Sequence, residues 1–356
     1  MRSSAPDSLW AVILAGGVGS RFWPVSRPSR PKQLLPLASS QALIADTVNR
    51  ISDLVPLDRV RILAGESLSA PLLNALPHLN RDNLFIEPQA RGTAPVLAWA
   101  AFQIARIDPD AIMISLHADH VIEPASAFLS LLADVAHVSG VERRLFTIGA
   151  RPNSPETGYG YIKPGVPITV APATFAVDRF VEKPDRETAE RYLREGYLWN
   201  TGIFVWPVAL LLEEIERHTP EIAAALPLLA EGRVAEFFAS VPQLTIDVGL
   251  LERSPRVAVA SATFDWDDVG TWDAVARTRH ADARGNVVVG TGHTIDSDNC
   301  IVWGEAGDVV VFGGRDLVVV RSGGVTMVLP RSRAADLKTL LAALPADVVA
   351  RAGGDT

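Results

Sequence analysis

The sequence predicts an α/β protein with a mostly parallel sheet, followed by a smaller all-β module. Two patterns predict this architecture. Up to about residue 276, short apolar runs alternate with helix-length segments, which is typical of a parallel sheet covered on both faces. Beyond about residue 284, short β-branched runs follow one another with Gly or Asp between them. We therefore expect a first domain at 1–278 and a β module at 279–356.

In the first domain, strands and helices are predicted in alternation. The predicted strands are 10–15, 60–64, 83–86, 111–116, 145–150, 176–182 and 202–206. The predicted helices are 94–107, 125–138, 188–195 and 208–218. A helical segment at 221–238 interrupts this pattern.

The β module is predicted to hold five short strands and a closing helix. The strands are 286–290, 300–303, 308–312, 317–321 and 325–329, and the helix is 334–344. Both a stacked, solenoid-like unit and a sandwich fit this spacing. The apolar runs of the module leave two roles open, which are subunit packing in a homodimer and cover for the first domain.

Composition excludes several classes of protein. The 356 residues carry 41 acidic and 33 basic side chains, and the net charge of −8 argues against a general binder of nucleic acid or membrane surfaces. The apolar share of 48% argues against disorder, and no apolar run approaches the roughly 20 residues that span a bilayer. A single cysteine, Cys300, excludes an intramolecular disulfide and predicts a cytoplasmic protein. Asp7 opposes Arg2 ahead of the apolar run at 9–15, so we predict no targeting segment.

The strongest local motif is a glycine-rich loop, AGGVGSR, at 15–21. Its glycines allow positive φ angles and close approach of a ligand, and successive backbone N–H groups can bind an anion. Arg21 adds a guanidinium suited to phosphate oxygens. The P-loop pattern is absent, and Phe22 stands where the dinucleotide fingerprint needs its third glycine, which argues against a dehydrogenase.

Prolines follow the loop at positions 24, 28, 31 and 36. Because proline cannot continue a helix, we expect an extended segment that brings Lys32 and Gln33 back to the same cleft. The alternative is a glycine-rich turn followed by a proline-rich surface loop.

Two groups of acidic residues are candidates for a metal site. Asp119 follows a predicted strand, where open α/β sheets bind ligands, and a second group lies at 265–268. Two carboxylates together with substrate phosphates suit Mg²⁺. A zinc site on His117, Asp119 and His120 fits the common patterns less well. Asp119 is equally well explained as the cap of the helix near residue 125.

Three polar segments lie at strand ends, at 156–163, 181–184 and 199–202. Backbone N–H groups of the first could reach sugar hydroxyls, and the Asn200 amide could both donate and accept. A hairpin turn and a surface pair of Glu182 with Lys183 are the simpler explanations. The shared position at strand ends favours a single cleft.

Glu87 ends another predicted strand and precedes the segment ARGTAP at 90–95. Guanine presents two N–H donors, and a carboxylate is an acceptor for both. Glu87 is therefore a candidate guanine-binding residue. The alternative is helix N-terminal chemistry, with Thr93 as the cap and Pro95 in the first turn.

Together these motifs resemble the sugar-phosphate nucleotidyltransferase family, and most closely its guanylyltransferases. The matching motifs lie at 15–24, 31–33, 91–95, 119, 158–162, 180–184, 199–202 and 264–272. The resemblance implies a Rossmann-like nucleotidyltransferase domain, Mg²⁺ as cofactor, and transfer of GMP from GTP to mannose 1-phosphate with release of pyrophosphate.

The resemblance also implies roles for individual residues. Arg21 and Lys32 would contact the nucleotide phosphates, and Asp119 and Asp268 would hold the metal. The expected nucleotide-binding residues are Ala15, Gly16, Gly17, Gly19, Ser20, Glu87, Gly92 and Thr93. The expected sugar-phosphate residues are Gly160, Glu182, Lys183 and Asn200.

Three differences from the family keep alternatives open. Gly92 stands where the family often has asparagine, and Asp267 stands where serine is common, so either Asp267 or Asp268 could coordinate the metal. The C-terminal segment is too short for the isomerase domain of long family members, so we expect no isomerase activity. The alternatives are a transferase for glucose 1-phosphate with dTTP or UTP, and a non-catalytic sensor of sugar nucleotides.

Overall fold

The computed structural model describes residues 8–17 and 19–351. Strands of a central sheet and of a small two-stranded sheet occupy the first part of this region. They are β1 Leu9–Leu14, β2 Val60–Gly65, β3 Leu84–Glu87, β4 Ile112–His117, β5 Val121–Glu123, β6 Leu145–Ala150, β7 Tyr161–Thr169, β8 Thr174–Val181, β9 Leu198–Pro207, β10 Val257–Ser261 and β11 Asp265–Asp267. A third sheet follows. It contains β12 Val287–Ile295, β13 Ile301–Phe312, β14 Leu317–Ser322 and β15 Val325–Pro330.

The helices of the described residues lie mainly between the strands of the central sheet. They are α1 Leu43–Ile51, α2 Ser69–Ala75, α3 Thr93–Ile107, α4 Ala125–Glu142, α5 Arg186–Arg194, α6 Val208–His218, α7 Pro220–Ala223, α8 Leu226–Ala230, α9 Val234–Ser240, α10 Trp272–Thr278, α11 Leu337–Ala343 and α12 Ala346–Arg351. Short 3₁₀ turns and one π-helical turn at Asp247–Leu251 connect them.

The central sheet confirms the predicted α/β class. Its strand order is β3-β2-β1-β4-β9-β6-β10-β8-β7. Pairing directions show that β9 runs antiparallel to β4 and β6, and β8 runs antiparallel to β10 and β7, so the other strands all point one way. Separate apolar clusters cover the two faces, one including α1 and α4, the other α3 and α6. The carboxyl ends of most strands therefore share one edge.

Each strand and helix predicted for the first domain is present, and some elements were not predicted. Strand β10 joins the middle of the sheet although its apolar run is only five residues long. Helices α1 and α2 are also short, with nine and seven residues. Short elements carry too few repeats for their periodicity to stand out, and tertiary packing stabilises them instead.

The proline-rich segment does return to the glycine loop, but it is not simply extended. It forms 3₁₀ turns at Ser20–Phe22 and Lys32–Leu34, and the first α-helix begins only at Leu43. The Gln33 side-chain amide donates to the carbonyl oxygen of Ala15 at 2.8 Å. Proline excludes an α-helix, yet its fixed φ suits a single 3₁₀ turn.

The β module stacks its first strands in parallel, which favours the solenoid-like alternative over a sandwich. Strands β12, β13 and β14 pair in parallel, and β15 is antiparallel to β14. The predicted strands 300–303 and 308–312 are one strand, β13, interrupted by a register shift against β12 beside Gly304. The predicted closing helix is divided into a 3₁₀ segment at Arg331–Asp336 and α11.

One apolar face of the β module packs on the first domain, which is one of the two roles predicted for it. Phe22 and Trp272 of the first domain stack edge to face at 5.3 Å, and Trp272 does the same with Trp303 of β13 at 5.5 Å. Arg30 and Glu305 form an ion pair across the contact at 2.7 Å. The segment after the glycine loop thus rests on a core shared with the module.

The sequence predicted neither a membrane-spanning run nor a targeting segment. No helix of the described residues is long and apolar enough to span a membrane. The apolar run at the start is strand β1, whereas Arg2 and Asp7 lie outside the described residues. Cys300 is buried and forms no disulfide bond.

Candidate active site

The glycine loop leaves the central strand β1 and opens on a cleft of about 200 Å³. Ala15 is buried, and its N–H donates to Leu63 of the adjacent strand at 2.9 Å. Gly17 and Gly19 have φ angles of +92° and +67°, which explains the need for glycine. A Cβ at Gly19 would lie 2.3 Å from the Cβ of Lys32, so only glycine lets this segment pass.

Other predicted members of the nucleotide set lie along the same cleft. Gly16 and Gly17 line it, with open space around both, and Ser20 begins the following 3₁₀ turn. Val18 lies outside the described residues. Arg21 is exposed, lines the cleft and has no ion pair among the residues described, so its guanidinium is available to an anion.

Lys32 is the cation that connects the two acidic groups. It is 8% exposed, and its Nζ lies 2.8 Å from Oδ2 of Asp119. The same ammonium donates to the backbone carbonyl of Asp268 at 2.5 Å. Residues from three distant segments therefore meet at one buried charge.

The electrostatics of Asp119 follow from this contact. Burial alone would raise the pKa of Asp119, but Lys32, with His120 and His117, lowers it to about 2. Burial also lowers the pKa of both histidines, and that of His120 well below its ordinary value. Both histidines are therefore neutral near pH 7, and Lys32 is the positive charge that keeps the Asp119 carboxylate ionised.

The structure brings His117, Asp119 and His120 together, with candidate ligand atoms within 4.8 Å of one another. Nδ1 of His120, however, accepts a hydrogen bond from the Trp266 indole at 3.1 Å. Nδ1 of His120 is therefore occupied by this hydrogen bond and is not available as a metal ligand. The alternative role of Asp119 as a helix cap is wrong, because Pro124 occupies the cap position of α4.

The two neighbouring aspartates differ clearly in their contacts. Asp267 pairs with Arg277, with Oδ2 and Nε 2.6 Å apart, and accepts from the Val269 N–H. Asp268 instead lines a second cleft, and its Oδ1 accepts from the Tyr159 hydroxyl at 2.7 Å. Asp268 is the one of the pair that lies in the site beside Lys32.

The second cleft, of about 230 Å³, collects the predicted sugar-phosphate residues: Gly160, Glu182, Lys183 and Asn200. Lys183 has a φ of +47° and forms an ion pair with Glu182. A Cβ at Gly160 would lie 2.8 Å from the Glu182 carboxylate, so a side chain there would displace it. The pair of Glu182 with Lys183 is present, but at the mouth of a pocket rather than on a plain surface.

Asn200 differs from the expectation that its amide both donates and accepts in the pocket. Its Oδ1 already accepts from the Thr147 hydroxyl at 2.7 Å and from the Gly202 N–H at 3.2 Å. The amide nitrogen donates to Asp247 at 2.8 Å. Within the described structure, Asn200 can offer the pocket a donor but hardly an acceptor.

Among the other residues that line the second cleft, Tyr159, Asp247 and Trp266 have polar groups and no individual role predicted from sequence. Burial and the adjacent Asp268 raise the pKa of Tyr159, so its hydroxyl remains a donor. Tyr159 and Trp266 lie within motifs already noted, so a sequence signal existed. Asp247 begins the π-helical turn Asp247–Leu251, outside every motif noted in the sequence, and only the fold brings it to Asn200.

The predicted base-binding residues lie at the same sheet edge. Glu87 ends β3 and pairs in register with Gly65, and burial raises the pKa of its carboxyl. Gly92, with a φ of +86°, is the cap of α3, so the prediction of Thr93 as the cap is wrong. A Cβ at Gly92 would lie 2.4 Å from the carbonyl oxygen of Leu244, which explains glycine where the family often has asparagine.

Comparison with known proteins agrees with this geometry. A family model for nucleotidyl transferases matches residues 10–285. The chain belongs to the nucleotidyl transferase family. A second model, for a MannoseP isomerase/GMP-like β-helix domain, matches residues 285–344 of this nucleotidyltransferase. The family resemblance predicted from the motifs is confirmed.

Individual relatives are similar over nearly the whole chain. Mannose-1-phosphate guanylyltransferases of Klebsiella pneumoniae and Escherichia coli are each 36% identical over 343 residues, which are 93% of this chain and 72% of those proteins. A crystal structure from Thermus thermophilus, described as mannose-1-phosphate geranyltransferase, is 33% identical with a TM-score of 0.87. That match covers 94% of this nucleotidyltransferase and 98% of the Thermus chain.

Proposed function

We propose that this nucleotidyltransferase transfers GMP from GTP to mannose 1-phosphate, producing GDP-mannose and pyrophosphate. The observation that carries the proposal is the position of Lys32 between two clefts. Asp119 lines the cleft of the glycine loop, and Asp268 lines the cleft of Asn200 and Glu182. The Lys32 ammonium contacts both aspartates, so anions bound in the two clefts would meet beside it.

The two clefts suit different parts of the substrates. The glycine loop and Arg21 offer backbone N–H groups and a guanidinium to the triphosphate. Glu87 is assigned to the base from the end of β3, and Thr93, which lines the second cleft, is assigned to the nucleotide from the start of α3. Gly160, Glu182 and Asn200 offer hydrogen bonds to the sugar, and Lys183 offers a charge to its phosphate. In this proposal residues 1–278 form the catalytic domain and 279–356 form the β module.

The donor set at Lys32 fits a divalent metal with oxygen ligands. Asp119 and Asp268 present carboxylates at the junction of the clefts, and each has an oxygen without a hydrogen bond among the described residues. Hard cations such as Mg²⁺ prefer carboxylates with phosphate oxygens and water. Bound there by Asp119 and Asp268, Mg²⁺ would neutralise phosphate charge and polarise the phosphate oxygens.

The reaction is an in-line displacement at the α-phosphorus. A phosphate oxygen of mannose 1-phosphate forms the new P–O bond, the bond to the β-phosphate breaks, and pyrophosphate leaves with the electron pair. The second pKa of such a phosphate is about 6, so the nucleophile is already ionised near pH 7 and needs no general base. Arg21, Lys32 and the loop N–H groups stabilise the charge of the transition state.

The test is a substrate panel with the purified full chain. We expect pyrophosphate release to be fastest with GTP and mannose 1-phosphate, among GTP, ATP, UTP and dTTP combined with mannose and glucose 1-phosphates. A higher kcat/KM for glucose 1-phosphate with UTP or dTTP would overturn the substrate assignment. No pyrophosphate release from any combination, together with measurable binding of GDP-mannose, would identify a sensor instead.

A further inference from the structure

Asp247 lines the second cleft, where the proposed function places the sugar. It belongs to none of the sequence motifs on which the family resemblance rests. It is the first residue of the π-helical turn Asp247–Leu251. Such turns are rare and are frequent at functional sites. Its Oδ1 accepts a hydrogen bond from the amide nitrogen of Asn200 at 2.8 Å.

The orientation of the Asn200 amide is determined by its partners. The Gly202 N–H can only donate, so the atom that it contacts at 3.2 Å must be the amide oxygen. The Thr147 hydroxyl contacts the same oxygen at 2.7 Å. Asp247, as an acceptor, holds the amide nitrogen on the opposite side. One N–H of Asn200 thus pairs with Asp247, and the second has no hydrogen-bond partner among the residues that the structure describes, although Asn200 lines the cleft.

The segment that carries Asp247 is itself held firmly. Leu244 exchanges two backbone hydrogen bonds with the start of α3, donating to Arg91 at 2.9 Å and accepting from Ala94 at 3.1 Å. The Ile246 N–H donates to the Thr93 hydroxyl at 2.9 Å. The carboxylate of Asp247 is therefore presented by a rigid backbone, as precise orientation of a neighbouring side chain requires.

The burial of Asp247 and the charges around it raise its pKa, which agrees with a role at a site where a ligand binds. Burial and the negative charge of Glu182, and to a smaller extent Glu252, raise its pKa to about 6, while Lys183 opposes them. A carboxylate in this position costs free energy unless it makes good hydrogen bonds. The hydrogen bond to Asn200 meets that requirement only in part, since Oδ2 has no partner among the described residues.

We propose that Asp247 is a positioning residue for sugar recognition, which holds the Asn200 amide so that its second N–H donates to a sugar hydroxyl. This inference rests on the proposed function. Asp247→Asn keeps a carbonyl oxygen that can accept from Asn200, whereas Asp247→Ala removes the acceptor. Asp247→Asn therefore separates the hydrogen bond from the charge, and a double variant with Asn200→Ala separates positioning of Asn200 from lost bulk.

The experiment measures steady-state kinetics with GTP and mannose 1-phosphate for wild type, Asp247→Ala, Asp247→Asn, Asn200→Ala and the Asn200→Ala/Asp247→Ala double variant. For Asp247→Ala we expect the KM for mannose 1-phosphate to rise about tenfold or more, with kcat and the KM for GTP nearly unchanged. Asp247→Asn should restore the KM to within about threefold of wild type, because it keeps the acceptor. In the Asn200→Ala background, Asp247→Ala should add little, since the two residues act as one unit.

Several outcomes would overturn the inference. They are additive effects in the double variant, an equal rise in the KM for GTP, and an Asp247→Asn variant as poor as Asp247→Ala. Should Asp247→Ala not fold, Thr147→Val tests the same amide from its other side and should also raise the KM for the sugar phosphate. An inactive wild-type protein would refute the proposed function, whereas an active wild type with unchanged Asp247 variants would refute only this inference.

Discussion

Lys32→Met tests the central electrostatic contact of the site. The substitution removes the ammonium that contacts Asp119 and Asp268 but keeps an unbranched side chain of similar length at a position that is 8% exposed. Asp119 would then be a partly buried carboxylate beside two neutral histidines. We expect losses of both stability and activity, each for a separate reason.

The stability effect follows from the pKa of Asp119. In the folded protein this pKa is about 2, against an ordinary value of 3.8. A depressed carboxyl pKa stabilises the fold at pH values above the ordinary one, and the contribution is lost as pH falls from about 4 to 2. At 1.36 kcal/mol per pKa unit, this contribution is roughly 2 kcal/mol at pH 7, and Lys32→Met should lose at least that much because the burial of Asp119 is then uncompensated. Burial then raises the pKa of Asp119 in the variant, so the loss should shrink as pH decreases toward 4.

Urea unfolding at pH 7.5 and pH 5, with Lys32→Met, Asp119→Asn and the double variant, measures this effect. Asp119→Asn should recover much of the stability lost in Lys32→Met, because no uncompensated carboxylate remains. The kcat of Lys32→Met should fall by about 10²–10³-fold, as when one electrostatic donor of a transition state is removed. Equal destabilisation at both pH values, without recovery in the double variant, would refute the reasoning, and so would unchanged turnover.

Three more predictions concern the metal, the base and the β module. Asp268→Asn should raise the Mg²⁺ concentration needed for half-maximal activity, whereas Asp267→Asn, the matched neighbour paired with Arg277, should leave the metal titration unchanged. Glu87→Gln should lower the ratio of kcat/KM for GTP over the other nucleoside triphosphates, because one acceptor for guanine is lost; an unchanged ratio would remove Glu87 from base recognition. Trp303→Ala should cost about 3–5 kcal/mol of unfolding free energy and reduce kcat at temperatures where the variant is folded, whereas Val310→Ala on the same strand, 61% exposed, should do neither.

Much of the candidate site was predictable because it depends on local residue types. Glycine is the residue that most readily adopts positive φ, so Gly17 and Gly19 marked the turn of the glycine loop. Alternating apolar runs predicted the strands, and the placement of polar residues after them predicted one shared edge. The same logic failed for β10 and for the cap of α3, where long-range packing and the Leu244 backbone decide the structure.

By itself, the sequence determined the order of the longer elements, the glycine loop and the family, since each rests on residues that are close in the chain. Only the tertiary structure decided which charges are neighbours. Lys32 meets Asp268 across 236 residues, and Asn200 meets Asp247 across 47. It also decided that Trp303 supports the loop and that Asn200 acts as a donor. Such contacts depend on how strands and loops pack in space, and the strength and direction of a hydrogen bond or ion pair depend on that geometry rather than on residue type.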